Sequence, residues 1–186
     1  MVDAKVFQGK DGEVFVHIVT FGKKLENLLS AIEFKRIGSN SKTVENHFGV
    51  GHIVMLHCDS LLWGMAEITG AYEFSSTLIW SDRTYPHRFK IGKIKLFSDP
   101  CDLGLANLKS RLKEQSGIGW AYKYILSPRF LPFDLAKDLQ AAAMALPEMP
   151  IEAFNEKIEI EIEKKISLKK QKNMKKNERL SRSSAG

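Results

Sequence analysis

The chain has 186 residues, 44% of them hydrophobic, and a formal net charge of +6. That is room for one domain with a sizeable core and an appendage, and with cysteines only at positions 58 and 101 a disulfide framework or a cysteine-rich zinc site is excluded. No apolar run approaches bilayer length and the start, MVDAKVFQGK, lacks the apolar region of a secretory signal, so no membrane partner and a cytoplasmic location are expected.

In chain order, Gly9 to Gly12 reads as a hairpin turn between strands at Ala4 to Gln8 and Glu13 to Thr20, the second apolar on both faces. Leu25, Leu28, Leu29 and Ile32 recur at helical spacing, which predicts a helix over Lys23 to Phe34. Lys35 to His47 (KRIGSNSKTVENH) is polar and reads as a long loop, with Val50 to Cys58 as the next strand. Trp63 to Thr69 alternates as a strand with Gly64, Ala66 and Ile68 on one face, where something bulky can approach, and Gly70 ends it. A loop follows that carries Tyr72, Phe74, Trp80 and Tyr85 beside Arg83, His87 and Arg88. Phe74 and Phe89 are assigned to the core. Trp80 and Tyr85 lie among Ser81, Asp82, Thr84 and Pro86, polar or turn-forming company that rules out an ordinary buried strand and marks the pair as a candidate stacking platform.

Phe89 to Phe97 alternates again, Asp99-Pro100 breaks it, and Leu103 to Gln115 reads as an amphipathic helix. Trp120 to Ile125 reads as either a strand or a helical turn. Pro132 to Leu146 is helical by its early proline, its acidic first turn and its alanine-rich interior, and Pro147 and Pro150 close it. The chain divides there, into a domain over residues 1–150 and a charged segment over 151–186. Ile151, Phe154, Ile158, Ile162 and Ile166 predict an amphipathic helix; from Lys169 the apolar period is lost and a disordered basic tail is expected.

Most of the excess positive charge lies beyond Ile151. Inside the domain Arg83, Arg88, Lys90, Lys93 and Lys95 follow one another with no acidic residue between, and Arg88 and Lys90 share a strand face, which predicts a basic stripe beside the aromatic loop. Phosphate-binding candidates are Lys35, Arg36, Lys42, Arg83, His87 and Arg88. No nucleotide-binding glycine loop, zinc-protease motif or nucleophile elbow is present. His52, His57, Cys58 and Asp59 cluster, but His57 and Cys58 point to opposite strand faces, so no metal and no cofactor are expected. Asp82 and Glu67 are acid–base candidates, but nothing else marks a hydrolytic site.

Trp63 to Ile91 (WGMAEITGAYEFSSTLIWSDRTYPHRFKI) resembles the central motif of the EVE domain and, more distantly, YTH domains, both of the PUA-like superfamily of nucleic-acid readers. EVFVHIVT, KLENLLSAI and VGHIVMLHC upstream extend the resemblance over roughly Val14 to Leu112. It implies an α+β, PUA-like (EVE/YTH-like) fold, a curved or closed β-barrel flanked by helices, and a non-catalytic reader that takes a methylated base into an aromatic cage. Trp80 and Tyr85 match the two loop positions of that cage, Phe34 stands where a Trp usually follows the first helix, and Asn27 corresponds to an Asn that bonds the base edge. The resemblance favours DNA with N6-methyladenine or a modified cytosine, then RNA. It also implies a place as the N-terminal specificity module of an McrBC-type restriction system, with the lysine-rich exit leading to a linked motor or nuclease-recruiting domain. Two other classes stay open: an RNA-binding protein or RNA-processing enzyme of the related ASCH type, and a protein-interaction module that docks through Ile151 to Ile166.

Overall fold

The structure is a computed structural model that describes residues 15–101, 110, 114 and 131–183, with side chains as far as Lys175. The hairpin predicted at 4–12, the helix at Leu103 to Gln115 and the segment Trp120 to Ile125 lie outside the described residues. The chain forms two units, Met1–Pro150 and Ile151–Gly186.

The first unit is a mixed sheet with helices. Strand β1 (Val16–Thr20) runs parallel to β3 (Ile53–Cys58), which pairs antiparallel with β4 (Leu61–Phe74); β4 pairs with β5 (His87–Cys101), and β5 with the edge strand β2 (Arg36–Ser39). A two-residue strand, β6 (Glu148–Met149), also pairs with β5. Among the described residues no ladder joins β2 to β1, so the sheet stays open where a curved or closed barrel was expected. Asp59 and Ser60 both have positive φ, 50° and 69°, the geometry of a tight turn whose twist suits a β-hairpin, and they link β3 directly to β4.

The core lies where Val16, Ile18, Ile53, Met55, Met65 and Phe97 of the sheet meet Leu135, Ala136, Leu139 and Ala143 of helix α2 (Phe133–Ala145). Full burial of each large side chain contributes about 1.5 to 3 kcal/mol. Val54 and Leu56 are equally buried, so the central strand β3 is covered on both faces. Helix α1 (Leu25–Glu33), with Leu25, Leu28, Ala31 and Ile32 buried, contacts β2 and β3. It ends at Phe34, after which Lys35 takes a left-handed φ of 50° and offers its carbonyl to the Ile91 amide at 3.0 Å. That single turn feeds the chain into β2.

Four expectations need correction. The segment Lys35 to His47 holds β2 and a 3-10 turn at Lys42–Asn46, because Ile37 and Val44 are apolar anchors that the surrounding polar residues hid. Strand β4 runs past Gly70, where β5 continues to offer ladder partners across register shifts and the missing side chain admits Lys90. Strand β5 runs through Asp99-Pro100 to Cys101, beside a register shift that relieves the proline of a ladder bond. In the second unit α3 (Ile151–Ser183) is one continuous helix: beyond Lys169, where the apolar period is lost, Glu, Lys, Gln, Leu and Met sustain it, and no Gly or Pro interrupts it. No helix among the described residues is long and apolar enough to cross a membrane.

Candidate nucleic-acid interface

The loop between β4 and β5, residues 75–86, is drawn inward. Trp80, expected as an exposed platform, is only 3% exposed. Its ring meets Tyr85 edge-on, with centroids 5.2 Å apart, and the guanidinium carbon of Arg88 stands 5.0 Å from its centroid. Gly38 on β2 makes this possible, since a Cβ there would lie 2.5 Å from Trp80 Cη2 and 2.8 Å from the Tyr85 Cβ. A glycine inside a strand signals such an approach, and it was the available hint in the sequence.

Arg88 is the second correction. It is 3% exposed, and it donates through Nε to the Tyr85 carbonyl at 2.8 Å and through Nη2 to the Thr77 carbonyl. Burial lowers its pKa from the ordinary value, with the Glu73 charge acting in the opposite sense. An arginine spent on two loop carbonyls and a ring is a clamp rather than a surface phosphate ligand. The basic stripe is broken accordingly: Lys90 is exposed, Lys93 bonds Glu67 at 2.8 Å, and Lys95 is buried against the Met144 carbonyl at 2.5 Å.

Asn27 is brought to the loop, but its amide is occupied. Its Nδ2 donates to Asp82 Oδ1 at 2.8 Å, and its Oδ1 accepts from the Ser81 amide and hydroxyl at 3.0 and 2.8 Å. Asp82 also accepts from the Tyr85 hydroxyl at 3.1 Å and pairs with Lys24 and Arg83 at 3.3 and 3.6 Å. Burial alone would raise the Asp82 pKa; the bonds from Asn27, Lys24 and Tyr85 and the Lys24 charge outweigh it, so the carboxyl sits below its ordinary range. Burial, and then the Asp82 bond, raise the Tyr85 pKa, which keeps that hydroxyl a donor. Asp82 is therefore a fixed anion that latches the loop to α1, a role the sequence reading missed.

The remaining candidates are dispersed. Phe34 is 48% exposed at the C-terminal cap of α1, and Lys35 beside it is exposed. Arg36 is held by Glu73 at 2.8 Å, and Lys42 is exposed on the 3-10 turn. His87 shares a hydrogen bond of 2.7 Å with the Tyr72 hydroxyl. Phe74, assigned to the core from sequence, is 68% exposed, because β4 outruns the packed layer before the loop begins. His52 bonds His17 at 2.9 Å and His57 bonds Thr20 at 3.1 Å; among the described residues no three His, Cys, Asp or Glu side chains converge on a metal position.

No family model matches the chain, and no curated protein matches it in sequence. Solved structures do. The YTH domain of Zygosaccharomyces rouxii MRB1, solved in complex with N6-methyladenosine RNA, aligns with a TM-score of 0.53 at 13% identity, over 76% of this chain and 94% of that one. A YTH domain-containing protein mmi1, solved with RNA, aligns with a TM-score of 0.46 at 10% identity, over 77% of this chain and 86% of that one. The chain has a YTH-like α+β fold.

Proposed function

We propose that this YTH-like chain is a non-catalytic reader of modified nucleic acid that takes an unpaired or flipped methylated base against Trp80 and Tyr85. The observation that carries this reading is the pair itself: two aromatic rings at 5.2 Å, on a loop latched to α1 through Asn27 and Asp82. Arg88 covers the Trp80 face in the structure, and a planar cation on a ring marks a surface that accepts a planar, electron-poor partner. A base replaces it. Base stacking contributes about 1 to 3 kcal/mol, comparable to the cation–π contact surrendered, and contacts to the rest of the nucleotide must offset any Arg88 bond to the Thr77 and Tyr85 carbonyls that is lost with it.

Burial of one methyl group contributes only about 1 kcal/mol, so preference for the modified base is modest unless the unmodified one leaves a polar group unpaired. Extraction from a duplex costs a few kcal/mol more, which favours unpaired substrate. The RNA in the MRB1 structure supports N6-methyladenine in RNA as the first ligand to test, with modified DNA, the preference drawn from the sequence motif, as its direct competitor. A specificity module linked to a motor or nuclease-recruiting domain remains the setting proposed for a DNA ligand. Catalysis is not part of the reading, because Asp82 is a fixed anion tied to four partners and Glu67 is bonded to Lys93 elsewhere.

The experiment is titration of the whole chain with matched oligonucleotides, methylated and unmethylated, as RNA and as DNA. A preference of severalfold or more for one methylated form is expected. Equal affinity for all four, or none, overturns the proposal.

A further inference from the structure

A row of rings leads out of the core on the face of β4 and β5 opposite Arg88. Phe48 meets Phe89 at 5.5 Å, Phe89 meets Tyr72 at 5.9 Å, Tyr72 stacks on His87 at 5.9 Å, and His87 meets Phe74 at 5.5 Å. Phe89 is buried and Phe74 is open to water. The last two rings sit opposite each other in the ladder, at the root of the loop that carries Trp80 and Tyr85. The Tyr72–His87 hydrogen bond fixes the imidazole, and the imidazole abuts the Phe74 ring. Phe74 is thus an exposed aromatic ring with the imidazole of His87 against it.

The acidic residues of its segment are neutralised. Between Tyr72 and Lys90 the acidic residues are Glu73 and Asp82. Each is bonded to a cation, Glu73 to Arg36 and Asp82 to Lys24 and Arg83. Ser39 pairs with His87 in the ladder, which brings the 3-10 turn with exposed Lys42 to the same end of the sheet. That turn also carries Glu45, so Lys42 supplies one contact and not a patch.

We propose that Phe74 is a second stacking position, for a further unpaired base of the strand read at Trp80 and Tyr85, with Lys42 near its phosphates. A base on Phe74 extends the row of rings by one. The proposal rests on the reading of the chain as a nucleic-acid binder, and it adds a sequence-tolerant contact that ignores methylation.

The test compares wild type, Phe74→Ala and Phe74→Trp on the same single-stranded RNA, methylated and unmethylated, with an abasic residue moved along the strand. Phe74→Ala is expected to keep its melting temperature and to weaken both RNAs by about tenfold, within the roughly 5- to 150-fold that one lost stack produces. Phe74→Trp is expected to restore binding, and one abasic position is expected to make wild type and Phe74→Ala equal. Phe74→Ala binding both RNAs as wild type does, while the methyl preference persists, overturns the second position and leaves the first standing. No binding by wild type to these RNAs or to the matching single-stranded DNAs overturns both. Self-association of wild type relieved by Phe74→Ala, with RNA binding unchanged, identifies the ring as a protein contact and also overturns the proposal.

Discussion

The guanidinium of Arg88 stands 5.0 Å over the Trp80 ring while its nitrogens bind the carbonyls of Thr77 and Tyr85. One β5 side chain therefore holds both limbs of the aromatic loop. Arg88→Met, which keeps the stem but removes the donors, is expected to cost about 2 to 4 kcal/mol in urea unfolding, because two carbonyls lose a charged partner inside a covered site. Arg88→Lys recovers part of that, since an ammonium reaches one carbonyl but lacks the planar fork.

Gly38→Ala tests the same packing from β2. The added methyl group meets Trp80 and Tyr85 together, both of them pinned rings, so the pair must shift outward. A stability loss of about 1 to 3 kcal/mol is expected, with a larger relative loss of affinity for a methylated oligonucleotide than for an unmodified one. Equal losses on the two ligands would show that the pair does not form the reading site.

Acid acts on the fold in two windows. His52 Nδ1 lies against two donors, the Gly49 amide at 3.2 Å and His17 Nε2 at 2.9 Å, and burial lowers its pKa against the opposing bond at His47. A neutral histidine is favoured in the folded state, so its contribution is present above the ordinary value of 6.5 and is lost as pH falls below it toward the lowered folded value. Asp82 contributes above the ordinary 3.8 and loses that contribution only as pH falls below it. His52→Phe should remove the decline near neutral pH and Asp82→Asn the acidic one. Parallel stability–pH curves for wild type and His52→Phe would refute the first assignment.

Exposed cations set the salt dependence. Replacing Arg83 and Lys90 by Gln should reduce the slope of log affinity against log salt by roughly one to two and weaken methylated and unmethylated ligands alike. An unchanged slope would mean that neither residue meets phosphate.

The sequence made the local elements visible: the Leu25, Leu28, Leu29, Ile32 spacing marks α1, and Trp80 and Tyr85 stand out by their polar company. What it hid depends on partners far along the chain. Trp80 is buried because Gly38 arrives from β2 and Arg88 from β5. Arg88 and Lys90 share a strand face, yet the loop folds over one and not the other. Asn27 looked like a base-edge donor because the side chains that consume its amide, Ser81 and Asp82, lie more than fifty positions away. The long strands β4 and β5 outlast Gly70 and Asp99-Pro100 because each supplies the other with hydrogen bonds, a mutual effect that no single segment displays.

The central claim is that a base displaces Arg88 from Trp80. Its most direct test is fluorine NMR of the chain labelled with 5-fluorotryptophan. The sequence has Trp63, Trp80 and Trp120. Trp63 is buried with its indole nitrogen on the Cys58 carbonyl at 3.0 Å, a built-in control. With the Trp80 resonance assigned through Trp80→Phe, a methylated oligonucleotide should shift it strongly and an unmethylated one weakly, while Trp63 stays in place. Binding that leaves Trp80 unmoved and still prefers the methylated ligand would contradict the claim and put the reading site elsewhere on the chain.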